Sequence, residues 1–338
     1  MHEQSRFELQ LSPATLVIDA PRNALWVGND LPDPDIMHLT GPLVTIDVFS
    51  LLDGKRIRRY KDTTLERPTQ LQGVKLITLA ADGTFFFSGH SAVGGVRWWR
   101  ASDENQSIRV SLTEGADFIE AMALTESCLY FLTGLGNQYR YDLAAEAITQ
   151  QTIVYDEATD EPHNVLLLKS LFSASGRYLI TVTKNNEGVG YLTARFSMDT
   201  NPLWQYGPVE NVDAIQVSPC ENRIFIASED GTLSIVAMSD GALLEKKYWD
   251  MPTDLMRLSA DGKILARLFN TARGFNRLNH PFDLVLYETE SFEMIDKIKI
   301  NPGSIADLVI SPDNRFLYLA WAARVEGVDI NQIIQFAL

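Results

Sequence analysis

Residues 311–320 read SPDNRFLYLA, and residues 218–227 read SPCENRIFIA. In both, Ser-Pro stops an apolar run, a short polar stretch reverses the chain, and an Arg opens a second apolar run. LSADGKILA at 258–266 and FSASGRYLI at 172–180 repeat the phrase without the proline. Asn, Asp and Gly suit such reversals because they tolerate the positive φ that tight hairpins often need. The phrase is a hairpin instruction, and its recurrence marks a repeating unit.

Tight turns of this kind fall at Arg22-Asn23, Asp82-Gly83, Glu126-Ser127, Ser175-Gly176, Glu221-Asn222, Asp261-Gly262 and Asp313-Asn314. Between the second residues of successive pairs the steps are 60, 44, 49, 46, 40 and 52. Short β-branched and aromatic runs flank each turn, such as ATLVIDA (14–20), TFFFSG (84–89), RYLITVT (177–183) and DLVLYE (283–288). They are bounded by Gly, Asn, Asp, Pro or Ser, as hairpins require. DLAAEAITQ (142–150) is the best helical candidate, but it is short and fits a hairpin loop. Seven units with a period in the forties predict an all-β, seven-bladed β-propeller of four-stranded antiparallel blades.

The fifth unit displays a blade most clearly, with strands at Val212–Ser218, Arg223–Ser228, Thr232–Met238 and Ala242–Tyr248. Alternation in DAIQV and TLSIV sends side chains to both faces, where neighbouring blades can bury them. The last unit is one strand short: it supplies Ile305–Ile310, Arg315–Ala322 and Asn331–Leu338. Arg6–Leu11 is spare at the other end, and is expected to form the outer strand of the seventh blade. The expected organisation is a single domain over 1–338, with blades at about 14–61, 74–111, 117–155, 164–206, 212–249, 254–300 and 305–338 plus 6–11.

EDGTLSIVAMSDGALL (229–244) resembles the hairpin of the third and fourth blade strands in WD-repeat propellers, and SPDNRFLYLA resembles the blade phrase of lactonase-type propellers. The WD pattern places Gly-His before the first strand of a blade and Trp-Asp at the end of the third. Here Gly89-His90 follows a second strand and Trp249-Asp250 follows a fourth, so the family's hydrogen-bond network is not carried over. The chain reads as a divergent WD-repeat-like or lactonase-like propeller. The lactonase resemblance implies a small-molecule hydrolase with Glu, His and Arg at the channel mouth, for which His163, Glu161 and Arg273 are the candidates.

The chain has 338 residues, 46% of them hydrophobic, enough for a large core. Acids outnumber bases 44 to 29, a net charge of −15, which repels nucleic acid and anionic lipid and favours a basic partner. No run of 18 apolar residues spans a membrane, and the polar start MHEQSRFELQ is not a secretory leader. The two cysteines, Cys128 and Cys220, form no framework, which suits a reducing cytoplasm. No spacing of ligands or glycines calls for a metal or cofactor.

Function is therefore sought in the loops of one propeller end, where the second strand joins the third and the fourth joins the next blade. YDEATDEPHN (155–164) holds Asp156, Glu157, Asp160 and Glu161 without a cation, and NDLPDPDIMHLTG (29–41) adds Asp30, Asp33 and Asp35. Glu229 and Asp230 come from the fifth blade, with Asp250 and Asp254 after it. NTARGFNRLNHPF (270–282) is a basic insertion with Arg273, Phe275 and Arg277, and Trp321 and Arg324 fall in the last such loop. Arg and aromatic residues are favoured interface anchors. VRWWR (96–100) offers no stacking platform, because adjacent strand residues face opposite ways; Trp98 and Trp99 are expected in the core. The expectation is a non-enzymatic adaptor or immunity-type inhibitor, a monomer or weak oligomer, binding a basic protein.

Overall fold

The computed structural model describes residues 1–30, 45–61, 73–89, 95–99, 108–110, 118–154, 166–185, 187–209, 211–270, 272, 279–325 and 328–338. These contain 28 strands and no α-helix. By compactness the chain divides into two units, Met1–Ile119 with Gly274–Pro281 and Ile298–Leu338, and Glu120–Arg273 with Phe282–Lys297.

In the first unit β1 (His2–Leu9) leads the chain. It is followed by one sheet of β2 (Pro13–Asp19), β3 (Ala24–Asn29), β4 (Thr45–Ser50) and β5 (Arg56–Lys61), and another of β6 (Leu76–Leu79), β7 (Phe85–Ser88), β8 (Val96–Trp99) and β9 (Ile108–Arg109). The second unit holds β10 (Ile119–Leu124), β11 (Cys128–Thr133), β12 (Asn137–Asp142) and β13 (Ala147–Ile153), then β14 (Leu166–Phe172), β15 (Tyr178–Lys184), β16 (Gly190–Phe196) and β17 (Trp204–Val209). Its other sheets are β18 (Val212–Val217), β19 (Arg223–Ser228), β20 (Thr232–Ala237) and β21 (Leu243–Tyr248), and β22 (Leu255–Leu258), β23 (Ile264–Asn270), β24 (Phe282–Glu288) and β25 (Met294–Ile300). The seventh sheet joins β26 (Ser304–Ile310), β27 (Phe316–Val325) and β28 (Val328–Ala337) to β1.

The spare N-terminal strand thus completes the last sheet, as expected. Its pairing runs from His2↔Ala337 to Leu9↔Asn331, so it begins four residues before the predicted Arg6. The helical candidate at 142–150 is a hairpin: Glu146 takes φ 49° between β12 and β13.

The repeated phrase has a physical basis in its serine. The hydroxyls of Ser173, Ser218, Ser259 and Ser311 accept the N–H of Tyr178, Arg223, Ile264 and Phe316, each five residues on. Asp261 and Asp313 then brace the turn, accepting from Ser259 and Ser311 at 2.7 and 2.6 Å. Positive φ falls three residues after the serine, at Gly176, Glu221, Gly262 and Asn314. In SPCENR that position is Glu221, and its carboxylate accepts the N–H of Ser175 from the sheet before.

The core lies between sheets, and each strand serves two cores by its alternation. On β3, Leu25 and Val27 pack with Tyr318 and Ile333, while Ala24 and Trp26 pack with Phe85, Phe87 and Trp99. On β19, Ile224 and Ile226 pack with Ile180 and Val182, while Phe225 and Ala227 pack with Met256 and Leu265. Trp98 and Trp99 are both buried on opposite faces of β8, Trp98 stacked on Phe86 and Trp99 on Phe87. A register irregularity recurs near the start of β2, β14, β18 and β26, where an extra residue increases the twist. In the first unit Asp307 of β26 also ties two sheets, accepting from Leu16 N at 3.0 Å.

Candidate functional site

In the second unit, carboxylates collect where β18, the β19–β20 turn and the β21–β22 connection meet. Asn211 donates to Glu229 at 2.8 Å, and Lys184 donates to Asn211 at 3.3 Å. Asp213 accepts the N–H of Thr253, and Asp254 accepts that of Asn270. Burial raises the pKa of Asp213, the Thr253 bond lowers it, and the negative charges of Glu229 and Asp254 raise it further. Both of those charges therefore act on Asp213. Asp230 is exposed, but Thr232 bonds both its oxygens, through N at 2.8 Å and Oγ1 at 2.7 Å. Its carboxylate shapes the turn as well as charging it.

Buried Arg267 fixes the loop that carries Asp250 and Asp254. It donates to the hydroxyl of Thr253 at 2.9 Å and to the carbonyls of Met251 and Pro252, and it stacks 4.1 Å over the Trp249 ring. A cation on β23 thus holds the backbone of an acidic connection, a link that only folding reveals.

In the first unit Asp30 is exposed at the end of β3, its N–H donating to Ser12 O at 2.6 Å. Trp321 and Arg324 are not loop residues as expected. They lie on β27, because the β27–β28 hairpin continues past its neighbours through Arg324↔Asp329 to Val325↔Val328. Trp321 is buried and donates to Asn301 O at 3.2 Å; a Cβ on Gly303 would lie 2.6 Å from its ring nitrogen, so only glycine admits it. Arg324 stays exposed, 3.8 Å from Asp329. These residues and the Leu9–Ser12 and Asn301–Ser304 connections line a cavity of about 880 Å³. Asp33, Asp35, Asp156, Glu157, Asp160, Glu161, His163, Arg273, Phe275 and Arg277 lie outside the described residues.

A second cavity, of about 490 Å³, lies in the second unit between the β14–β17 and β18–β21 sheets. Its lining includes Lys184, Tyr206, Asn211, Ser228, Asp230, Ser234 and Lys246. Both cavities are walled by the two loop classes singled out in the sequence. Sequence reading missed Ser228, Ser234 and Lys246; their spacing carries no motif, and only strand pairing brings them together. Among the described residues, no group of three or more His, Cys, Asp or Glu is placed to hold a metal ion, and no helix is long and apolar enough to cross a membrane.

No protein-family model matches the chain, and no curated protein is detectably similar to it in sequence. Among solved structures, it is similar to the β-propeller domain of Cps50 (Swd1) from Myceliophteria thermophila, with a TM-score of 0.71 at 10% identity over 98% of each chain. The likeness and the seven four-stranded sheets together establish the fold: the chain is a seven-bladed β-propeller.

Proposed function

We propose that the protein is a non-enzymatic interaction platform, an adaptor or immunity-type inhibitor, that presents acidic loops to a basic protein partner. One observation carries this reading: Asp213, Glu229 and Asp254 are close enough for the last two charges to raise the pKa of the first, on a chain of net charge −15. Like charges so placed gain by meeting a cationic surface, which both steers encounter and relieves their repulsion. The β-propeller fold supports a binding role only by analogy, since folds do not fix function. The proposed whole is one domain in the cytoplasm, without cofactor, membrane or nucleic acid.

The test is capture of partners from the native cell by the full chain and by a Glu229→Gln/Asp230→Asn/Asp254→Asn variant. Each change keeps a hydrogen-bond acceptor while removing charge. Binding of a basic protein is expected, weakened by the variant and by raising salt from about 0.05 to 0.5 M, where the screening length falls several-fold. A partner held equally by both chains at both salt levels would end the charge-docking reading.

A further inference from the structure

The cavity between the β14–β17 and β18–β21 sheets gathers hydrogen-bond donors that the fold leaves unused. Ile226, Ser234 and Lys246 are paired neighbours across β19, β20 and β21, so they form one rung on one face. Ser228, two residues beyond Ile226, shares that face. The facing sheet contributes Tyr206 and Lys184. It also contributes Gly190, where a Cβ would meet Val209 O at 2.5 Å, so no side chain fills that part of the wall.

Ser228 and Ser234 are 8% and 7% exposed, yet among the described residues neither hydroxyl has a protein partner. That sets them apart from Ser173, Ser218, Ser259 and Ser311, whose hydroxyls all take turn N–H groups. The Tyr206 hydroxyl is likewise unengaged. Lys246 has no carboxylate partner among the described residues; its one recorded contact is the Tyr248 ring at 5.4 Å. The one acid of the lining, Asp230, already gives both oxygens to Thr232. The lining thus sets two ammonium groups, of which Lys184 already donates to Asn211, and three hydroxyls beside the one carboxylate of Asp230 in a space of about 490 Å³. These hydroxyls open into the cavity, and a volume of this size suits a small metabolite.

We infer that this cavity binds a small hydroxyl-bearing oxyanion, with Lys246 holding the charged group and Ser228 and Ser234 bonding to its oxygens. Carboxylate and phosphate share this chemistry, and the probes separate them: gluconate, glucose 6-phosphate, and neutral glucose as control. Calorimetric titration of the full chain is expected to show one of the two anions binding and glucose binding at least tenfold more weakly. Lys246→Gln and Ser234→Val should each weaken the anion at least tenfold. An unchanged Tm for Lys246→Gln, which alters an exposed side chain, shows that the fold is intact. Absence of binding by both anions, equal binding of glucose, or affinity unmoved by Lys246→Gln overturns the inference. Because that variant leaves every acid in place, its result does not bear on the basic-partner reading.

Discussion

Two sheet interfaces, one in each unit, are built from the same strand plan and filled by different chemistry. Between β2–β5 and β6–β9 the filling is aromatic: Trp26 lies 5.5 Å from Tyr60 and 4.8 Å from Phe85, and Phe87 lies 4.9 Å from Trp99. Between β14–β17 and β18–β21 it is mainly aliphatic, with Ile180, Val182, Leu192, Ile224, Ile226 and Val236. Sheets that diverge outward leave a wedge, and large rings close it better than branched chains. The aromatic interface keeps a cavity of about 210 Å³, the aliphatic one about 490 Å³. Charge follows the same division. On β5, Arg59 grips buried Asp47 at 2.6 and 2.7 Å, and Arg58 lies over Tyr60 at 4.8 Å, so the cations there serve packing. At the aliphatic interface Lys246 is left to solvent or ligand. The more completely packed interface is structural, and the looser one has room for binding.

The largest expected effect tests the packing half of that contrast. Trp99→Ala should cost about 3–5 kcal/mol in chemical denaturation, because it opens a cavity among rings that have no other filler. Ile224→Val, which removes one methylene at the aliphatic interface, should cost about 0.5–1.5 kcal/mol. Equal losses would break the comparison.

A smaller effect is expected at the repeated turn. Asn314 holds φ 56°, so Asn314→Ala should cost about 1 kcal/mol while Asn314→Gly is near neutral. Ser311→Ala, which removes the acceptor for Phe316 N, should cost a similar ~1 kcal/mol. Urea midpoints of the three variants decide this.

The smallest effect concerns pH. The Ser311 hydroxyl, chiefly, holds Asp313 below its ordinary 3.8. Burial works against ionisation of Glu221, yet the Ser175 bonds leave its pKa below 4.5. Groups with lowered folded pKa stabilise above their unfolded values, and that contribution is lost as pH falls through the folded ones. Tm should therefore drop as pH falls below about 4.5, and less steeply for Glu221→Gln. Asp213 has the opposite sign: its raised pKa means ionisation opposes folding. Asp213→Asn should leave stability at pH 7 equal or slightly higher, and a marked loss would show that the carboxylate is needed for more than its bond to Thr253.

Much of the fold was legible because its devices are local. Ser311, Asp313 and Asn314 act on groups within five residues, so the hairpin they make can be read directly. The spare strand at the N-terminus was legible by counting. Trp321 and Arg324 were misplaced because alternation alone does not say where a hairpin stops; pairing through Val325↔Val328 does. The site was less legible still. Of the acids chosen from loops, the structure joins Glu229 and Asp254 electrostatically to Asp213 and binds Asp230 into its own turn.

Ser311 and Ser234 are the same residue type, as are Lys247 and Lys246. The sequence by itself determined that Ser311 ends a strand at a tight turn, since the signals for that turn lie within the next few positions. Only the tertiary structure decided that Ser234 opens into a cavity, and that Lys247 pairs with Glu245 at 2.6 Å while its neighbour Lys246 is left over. The physical reason is range. A turn bond is fixed by local dihedrals, whereas a cavity wall depends on strand register and on a facing sheet some forty residues away, as Lys184 and Tyr206 are from Ser228 and Lys246.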